Sequence, residues 1–449
     1  MGNYFNKMSN KVRDESFSID LPLSNIVLTR YLYLKDEVKL AFLVSLLNKS
    51  DDAIFWAYEL YYSGFKMEFF DYIWTIYYDF FATLNPSFEQ YLNKMLKFDK
   101  ENDKKGKEED TDKLVSAIVQ DLLIRPFNTD IFFLRTICRL FEIDCSFITT
   151  TNTGSIKMLN STPILYEQLT NWIDTKDFKS IAQYILNVVV LDTSDKVLYF
   201  IYNVAIDVFA EVFNVKLSKA KLLKEFGVAQ ERLSNFVKKV LDEKKIILLT
   251  KIMTLFSLKE KLVKGKNFYI VVVPEDIIQY ETIEVSTVKH YKVLNVARIC
   301  GIDDLKHLSL FQLERDTLII KDKKDKKDKK DKRDSKDDTN ILKDMYFNNW
   351  LYHASFSPVW IDRIRKYRGY VDYTKICVEF VDEDVMQLFY LKYGYEPDEQ
   401  SQNTTDKCLK LNDGINWQTF HDKYKSNSLF IVDEELLEEL NNDKIRYPF

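Results

Sequence analysis

Four histidines stand far apart, at His290, His307, His353 and His421, and none has the HExxH or HxH spacing that brings two imidazoles onto one zinc ion. Each is therefore read as an ordinary structural or surface residue. The acidic runs Asp382, Glu383, Asp384 and Glu396, Asp398, Glu399 offer the hard oxygens that Mg²⁺ prefers. Helix caps and solvated loops explain the same runs without an ion. The five cysteines, Cys138, Cys145, Cys300, Cys377 and Cys408, are odd in number and irregular in spacing, which fits neither a disulfide framework nor a CxxC ribbon and suits reduced thiols. GxxxxGK[ST], GxGxxG and GxSxG are all missing, and 10 scattered glycines cannot build a phosphate cradle of backbone amides. The sequence thus nominates no catalytic residue, no cofactor-binding residue and no metal ligand.

The most specific stretch is basic. Lys219 to Val237 reads KAKLLKEFGVAQERLSNFV, in which Leu222 and Leu223 precede a Gly227-Val228 turn and Leu233, Phe236 and Val237 follow it. This is helix-turn-helix spacing, whose second helix enters a DNA major groove. Between Lys216 and Lys245 nine basic residues face four acidic ones, in a chain whose net charge is -5. Arg232, Lys238, Lys239, Lys244 and Lys245 are the candidate nucleic-acid contacts, acting on phosphates. Against this stands the bland reading that any two short helices joined at a glycine give the same pattern.

The elements that would position these residues are helices. Glycine and proline total only 18 residues while 46% of the chain is hydrophobic and 14% aromatic, which disfavours turn-dense sandwiches and propellers. The fold class expected is mainly α: an irregular helical array or bundle in the N-terminal half, with a smaller α+β C-terminal region. After a flexible N-terminus (1–20) comes an aromatic-rich helical bundle (21–96), where Leu23 to Tyr33, Val38 to Leu47, Ala53 to Tyr62, Met67 to Phe81 and Phe88 to Leu96 carry apolar residues at helical period. Asp51 and Asp52 serve as caps, Gly64 as a left-handed terminator, and Ser87 with Gln90 as a capping box. Trp56, Tyr58, Trp74 and Tyr78 are read as core rather than as a stacking platform.

Residues 97–113 are charged at 13 of 17 positions and read as a solvated linker. A helical domain follows (114–265), containing the helix-turn-helix-like segment 216–245, with Asn128, Thr129 or Asp130 as one cap and Thr162-Pro163 as another helix start. A mixed segment (266–320) includes a strand over Asn267 to Val273. The run KDKKDKKDKKDKRDSKDD (321–338) is a disordered Lys/Asp low-complexity insertion. The last region (339–449) is small and α+β: a helical stretch from Asn348 to Tyr367 around a break at Pro358, a hairpin over Tyr370 to Tyr373 and Lys375 to Phe380, a helix from Asp384 to Tyr393, and a polar tail anchored by Trp417 and Phe420.

No uncharged stretch approaches the ~20 residues of a membrane-spanning helix, and Met1 to Ser9 lacks a signal-peptide core. Gly2 only partly matches a myristoylation pattern, because Asn6 stands where Ser or Thr is needed. A cytoplasmic protein that contacts no membrane is expected.

The stretches DDAIFWAYELYYSGF (Asp51 to Phe65), IWTIYYDFFATLNPSF (Ile73 to Phe88), WLYHASFSPVWIDRIRKYRGYVDY (Trp350 to Tyr373) and LKYGYEPDEQS (Leu391 to Ser401) resemble an uncharacterised protein family of giant DNA viruses, the mimivirus-like nucleocytoplasmic lineages. That resemblance implies a viral origin, residence in the host cytoplasm, the viral factory or the virion, and partners among other viral or host proteins. The function expected is a non-enzymatic helical scaffold or adaptor acting through protein contacts. The alternative is a DNA-binding component of viral replication or transcription, using the basic 216–245 segment on duplex DNA.

Overall fold

Apolar residues recurring every three or four positions give a chain of helices, and a computed structural model describes residues 27–30, 35–103, 108–140, 162–188, 195–233, 240–259, 349–393 and 417–442. In order they are Lys35–Leu47 (α1), Asp52–Tyr62 (α2), Lys66–Ile76 (α3), Phe88–Asp103 (α4), Glu108–Ile124 (α5), Asp130–Leu140 (α6), Thr162–Asp174 (α7), Phe178–Gln183 (α8), Asp195–Val212 (α9), Lys219–Leu233 (α10) and Val240–Lys259 (α11). After a helical turn at 349–354 come Pro358–Lys366 (α12), the strands Gly369–Asp372 (β1) and Cys377–Phe380 (β2), Glu383–Tyr393 (α13), Trp417–Tyr424 (α14) and Glu434–Asn442 (α15). The fold is mainly α, and β1 and β2 pair antiparallel with Gly369 opposite Phe380 and Asp372 opposite Cys377. Among the described residues no helix is long and apolar enough to cross a membrane.

Helix α2, DAIFWAYELYY, is apolar on most of its circumference because it lies between α1, α3 and α5. Its boundaries are local chemistry. Asp51 occupies the cap position, yet it makes no side-chain cap bond; Ser50 Oγ takes the amide of Asp52 instead. At the far end Gly64 adopts φ +91°, and a Cβ there would sit 2.5 Å from Cβ of Pro358. Only glycine reconciles that backbone with so close an approach.

Two helices end in a π-helical turn: Tyr77–Phe81 after α3, and Tyr184–Val188 after α8. Both turns pack against α6 and α11. The wider coil of the first keeps five consecutive residues, Tyr77, Tyr78, Asp79, Phe80 and Phe81, buried.

One apolar core runs from Val38 to Phe256 and takes in Trp417, Phe420, Tyr424 and Leu437 from the C-terminal helices. Phe132 and Phe133 of α6 stack against Trp417 and Phe420, so both anticipated aromatic anchors are core residues. A second cluster joins Leu28, Trp350, Trp360, Ile364, Phe389 and Tyr393. Thus 349–393 forms its own small module, while 417–442 belongs to the larger core.

Three expectations are corrected. Where they are described, residues 97–113 are helical, 97–103 in α4 and 108–113 in α5. Lysine and glutamate are good helix formers, and the first helix is already nucleated by its apolar turns. Leu23 to Tyr33 is not a helix where it is described, since Val27–Arg30 is an extended bridge and a turn. It is held there by residues more than 300 positions away, Trp360 Nε1 donating to Thr29 O at 2.9 Å and the Arg363 guanidinium to Arg30 O. Finally, Gly227 lies inside α10, so one continuous helix replaces the anticipated turn. The strand over 267–273, the low-complexity run 321–338 and the first 20 residues lie outside the described residues.

Candidate functional site

The basic segment is divided by burial. On α10, Phe226, Ala229 and Gln230 face inward, with Phe226 packed 4.9 Å from the ring of Tyr202, and Lys216, Lys221 and Lys224 are exposed beside it. Lys219 is committed to Asp207 at 2.5 Å. Of the five candidate DNA contacts, Lys238 and Lys239 lie outside the described residues, as does the side chain of Arg232. Lys244 and Lys245 are buried, and Lys245 Nζ donates to the Leu186 carbonyl at 3.0 Å in the second π-helical turn. A π turn leaves carbonyls out of the ordinary helical ladder, and here a lysine meets one of them. Burial of these two side chains, and the Leu186 bond of Lys245, leave them poorly placed for a phosphate backbone.

The two histidines among the described residues, His353 and His421, sit in different surroundings. His421 is buried in α14 and accepts the amide of Val432 at Nε2, 3.3 Å. Burial and the nearby Lys425 lower its pKa. His353 is 1% exposed, neither ring nitrogen has a hydrogen-bond partner among the described residues, and burial brings its pKa down to about 4. It is a neutral core imidazole. His290, His307, Cys145, Cys300, Cys408 and the 396–399 acids are outside the described residues. Among the described residues no group of three or more His, Cys, Asp or Glu is placed to hold a metal ion. Asp382 caps α13 by accepting the amide of Val385 at 2.8 Å. The Cys138 thiol is pushed up to about 12 by burial, which keeps it from being a nucleophile.

Sequence reasoning missed a buried polar seam through the large core. Asp79, on the first π turn, pairs with Arg135 of α6. Glu89 at the start of α4 accepts Tyr78 Oη at 2.8 Å and also Lys251 of α11. Asn128 donates to Asp130 at 2.9 Å and receives Thr83. A small cleft of about 20 Å³ lies beside Glu89 and Lys251, lined by Pro86, Gln90, Asn93, Glu225, Val228 and Ala229. Both Glu89 oxygens are already occupied, so the seam locks helices together and offers no unengaged acid or base there.

The small module carries a different feature. Its helix α13 buries Phe389 and Tyr393 against Phe380, Tyr367 and Trp360, with Phe380 and Phe389 rings 4.9 Å apart. The opposite side exposes Leu388 by 56% and Leu391 by 84%, and Val381, just before the helix, is exposed by 64%. Tyr370 and Tyr373 of the hairpin are half exposed as well. The spacing of Leu388 and Leu391 puts both on one helical face, and the buried aromatics keep the helix from rolling that face inward. The sequence announced the helix but not which of its sides would stay uncovered.

No family model, no curated protein and no solved structure matches the chain.

Proposed function

We propose that this chain is a non-enzymatic helical scaffold or adaptor that works through protein contacts. The observation that carries the reading is the exposed apolar face of α13. A concentrated patch of large apolar side chains on a soluble surface is the ordinary mark of a protein-binding site. The module presenting it is tied to the 27–30 segment by Trp360 and Arg363 and to the end of α2 by the Gly64–Pro358 contact. The buried ion pairs suit the same role, because they fix one arrangement of helices and leave the outside to make contacts.

The resemblance to the giant-virus family adds a setting to this proposal, with partners among viral or host proteins in the infected cytoplasm, the viral factory or the particle. Duplex DNA is the weaker fit, since Lys244 and Lys245 are buried and Lys245 is engaged by the Leu186 carbonyl.

The test is affinity capture with the full chain against its Leu388→Asp/Leu391→Asp variant, scored by quantitative mass spectrometry. The reading expects a defined set of proteins that disappears with the variant. Robust substrate turnover by the purified chain would overturn it.

A further inference from the structure

We infer that the exposed face of α13 binds a second copy of the same chain, the two helices lying antiparallel across a two-fold axis at Leu388. The inference rests on the reading of this face as a protein-contact surface and names its occupant.

At roughly 100° per residue, Asp384, Val385, Leu388, Leu391 and Lys392 share one side of α13. Their order along the helix is self-complementary. An antiparallel copy centred on Leu388 sets Leu388 against Leu388, Val385 against Leu391 of the other chain, and Asp384 against Lys392 of the other chain. Both ends repeat the same contacts, as an isologous interface requires. A parallel copy would set Asp384 against Asp384 and Lys392 against Lys392. Charge therefore selects the antiparallel arrangement, which also opposes the two helix dipoles.

Asp384 and Lys392 are exposed, and the Lys392 ammonium sits 5.4 Å over the Tyr393 ring. Three helical turns cover less than the ~800 Å² per partner typical of stable complexes, so the dimer dissociates on dilution.

Sedimentation velocity of the full chain across a wide concentration range tests this. The wild type should shift from monomer to dimer, and Leu388→Asp, which puts two carboxylates on the axis, should remain monomeric. Asp384→Lys and Lys392→Glu should each weaken association on the order of tenfold, and the double Asp384→Lys/Lys392→Glu should restore it. All three positions are at the surface, so circular dichroism should report an unchanged fold. A wild type that is monomeric throughout, a dimer indifferent to Leu388→Asp, or a double charge reversal that fails to restore association overturns the inference. A monomeric wild type whose captured proteins vanish with Leu388→Asp removes the dimer and leaves the scaffold standing. A monomer whose captured proteins ignore that change removes both.

Discussion

Oδ1 of Asp130 accepts the backbone amide of Leu429 at 2.9 Å, joining the first turn of α6 to the approach of α15 across 299 positions of sequence. The same oxygen takes the amide of Phe430, and beside it Thr129 N donates to Ser428 Oγ at 3.0 Å. A helix N-terminus with unfilled donors and a buried carboxylate is thereby closed by the far end of the chain.

This clasp should respond to pH. Burial pushes the Asp130 carboxyl up to about 7 from its ordinary 3.8, against the pull of the Phe430 and Leu429 amides and the Ser428 hydroxyl. The folded chain then holds a proton that the unfolded chain releases. Its stabilising contribution is complete below 3.8 and is lost as pH rises through about 7. The denaturant midpoint of the wild type minus that of Asp130→Asn should shrink as pH rises over that window, a comparison in which the oppositely sloped contribution of His353 cancels.

His353 predicts the opposite slope. Its pKa, lowered to about 4 from 6.5, means that the unfolded chain takes up a proton first. Stability from this group is present above 6.5 and is lost as pH falls toward about 4. Replacing it with leucine removes an imidazole with no hydrogen-bond partner among the described residues. The variant should be at least as stable as the wild type at neutral pH and less sensitive to acid, as read by thermal melts at several pH values.

Arg135 and Asp79 form a buried pair, 6% and 2% exposed. Asp79→Ala should cost about 3–5 kcal/mol because it strands the guanidinium in the core. The double Asp79→Leu/Arg135→Met should recover most of that loss. Chemical denaturation of the three proteins makes the comparison.

Two glycines should behave in opposite ways. Gly64→Ala forces a Cβ into Pro358 at a left-handed backbone position and should destabilise by more than ~1 kcal/mol. Gly227→Ala meets nothing within 4 Å on a continuous helix and should stabilise by about 0.5–1 kcal/mol. If residue 227 formed a turn with positive φ, the second substitution would be harmful as well.

Much of the architecture was legible from local chemistry. Gly64 stops α2 as its position implied, Ser357 and Pro358 open α12, and the hairpin lies where β-branched and aromatic residues flank a turn. What escaped were properties decided elsewhere in the chain. Val27–Arg30 is extended because Trp360 and Arg363 fix it, and no local period reports a partner 331 positions away. The glycine at 227 was read as punctuation, although a helix tolerates one when Phe226 and Ala229 are packed on either side. Lys244 and Lys245 were counted as surface charge, since composition cannot say which way a lysine points. For the same reason the face with Leu388 and Leu391 stayed hidden inside a correctly placed helix.

The ring face formed by Phe132 and Phe133 is completed by Trp417 and Phe420, and this sets a schedule for a newborn chain. A ribosome adding ~5–20 residues per second needs roughly 15–60 s to travel the 299 positions from Thr129 to Ser428. Throughout that interval the nascent bundle shows bare phenylalanines to the cell. Its yield should therefore depend on chaperones that shield emerging polypeptides, and shortening the tail before α14 should send the product to aggregates.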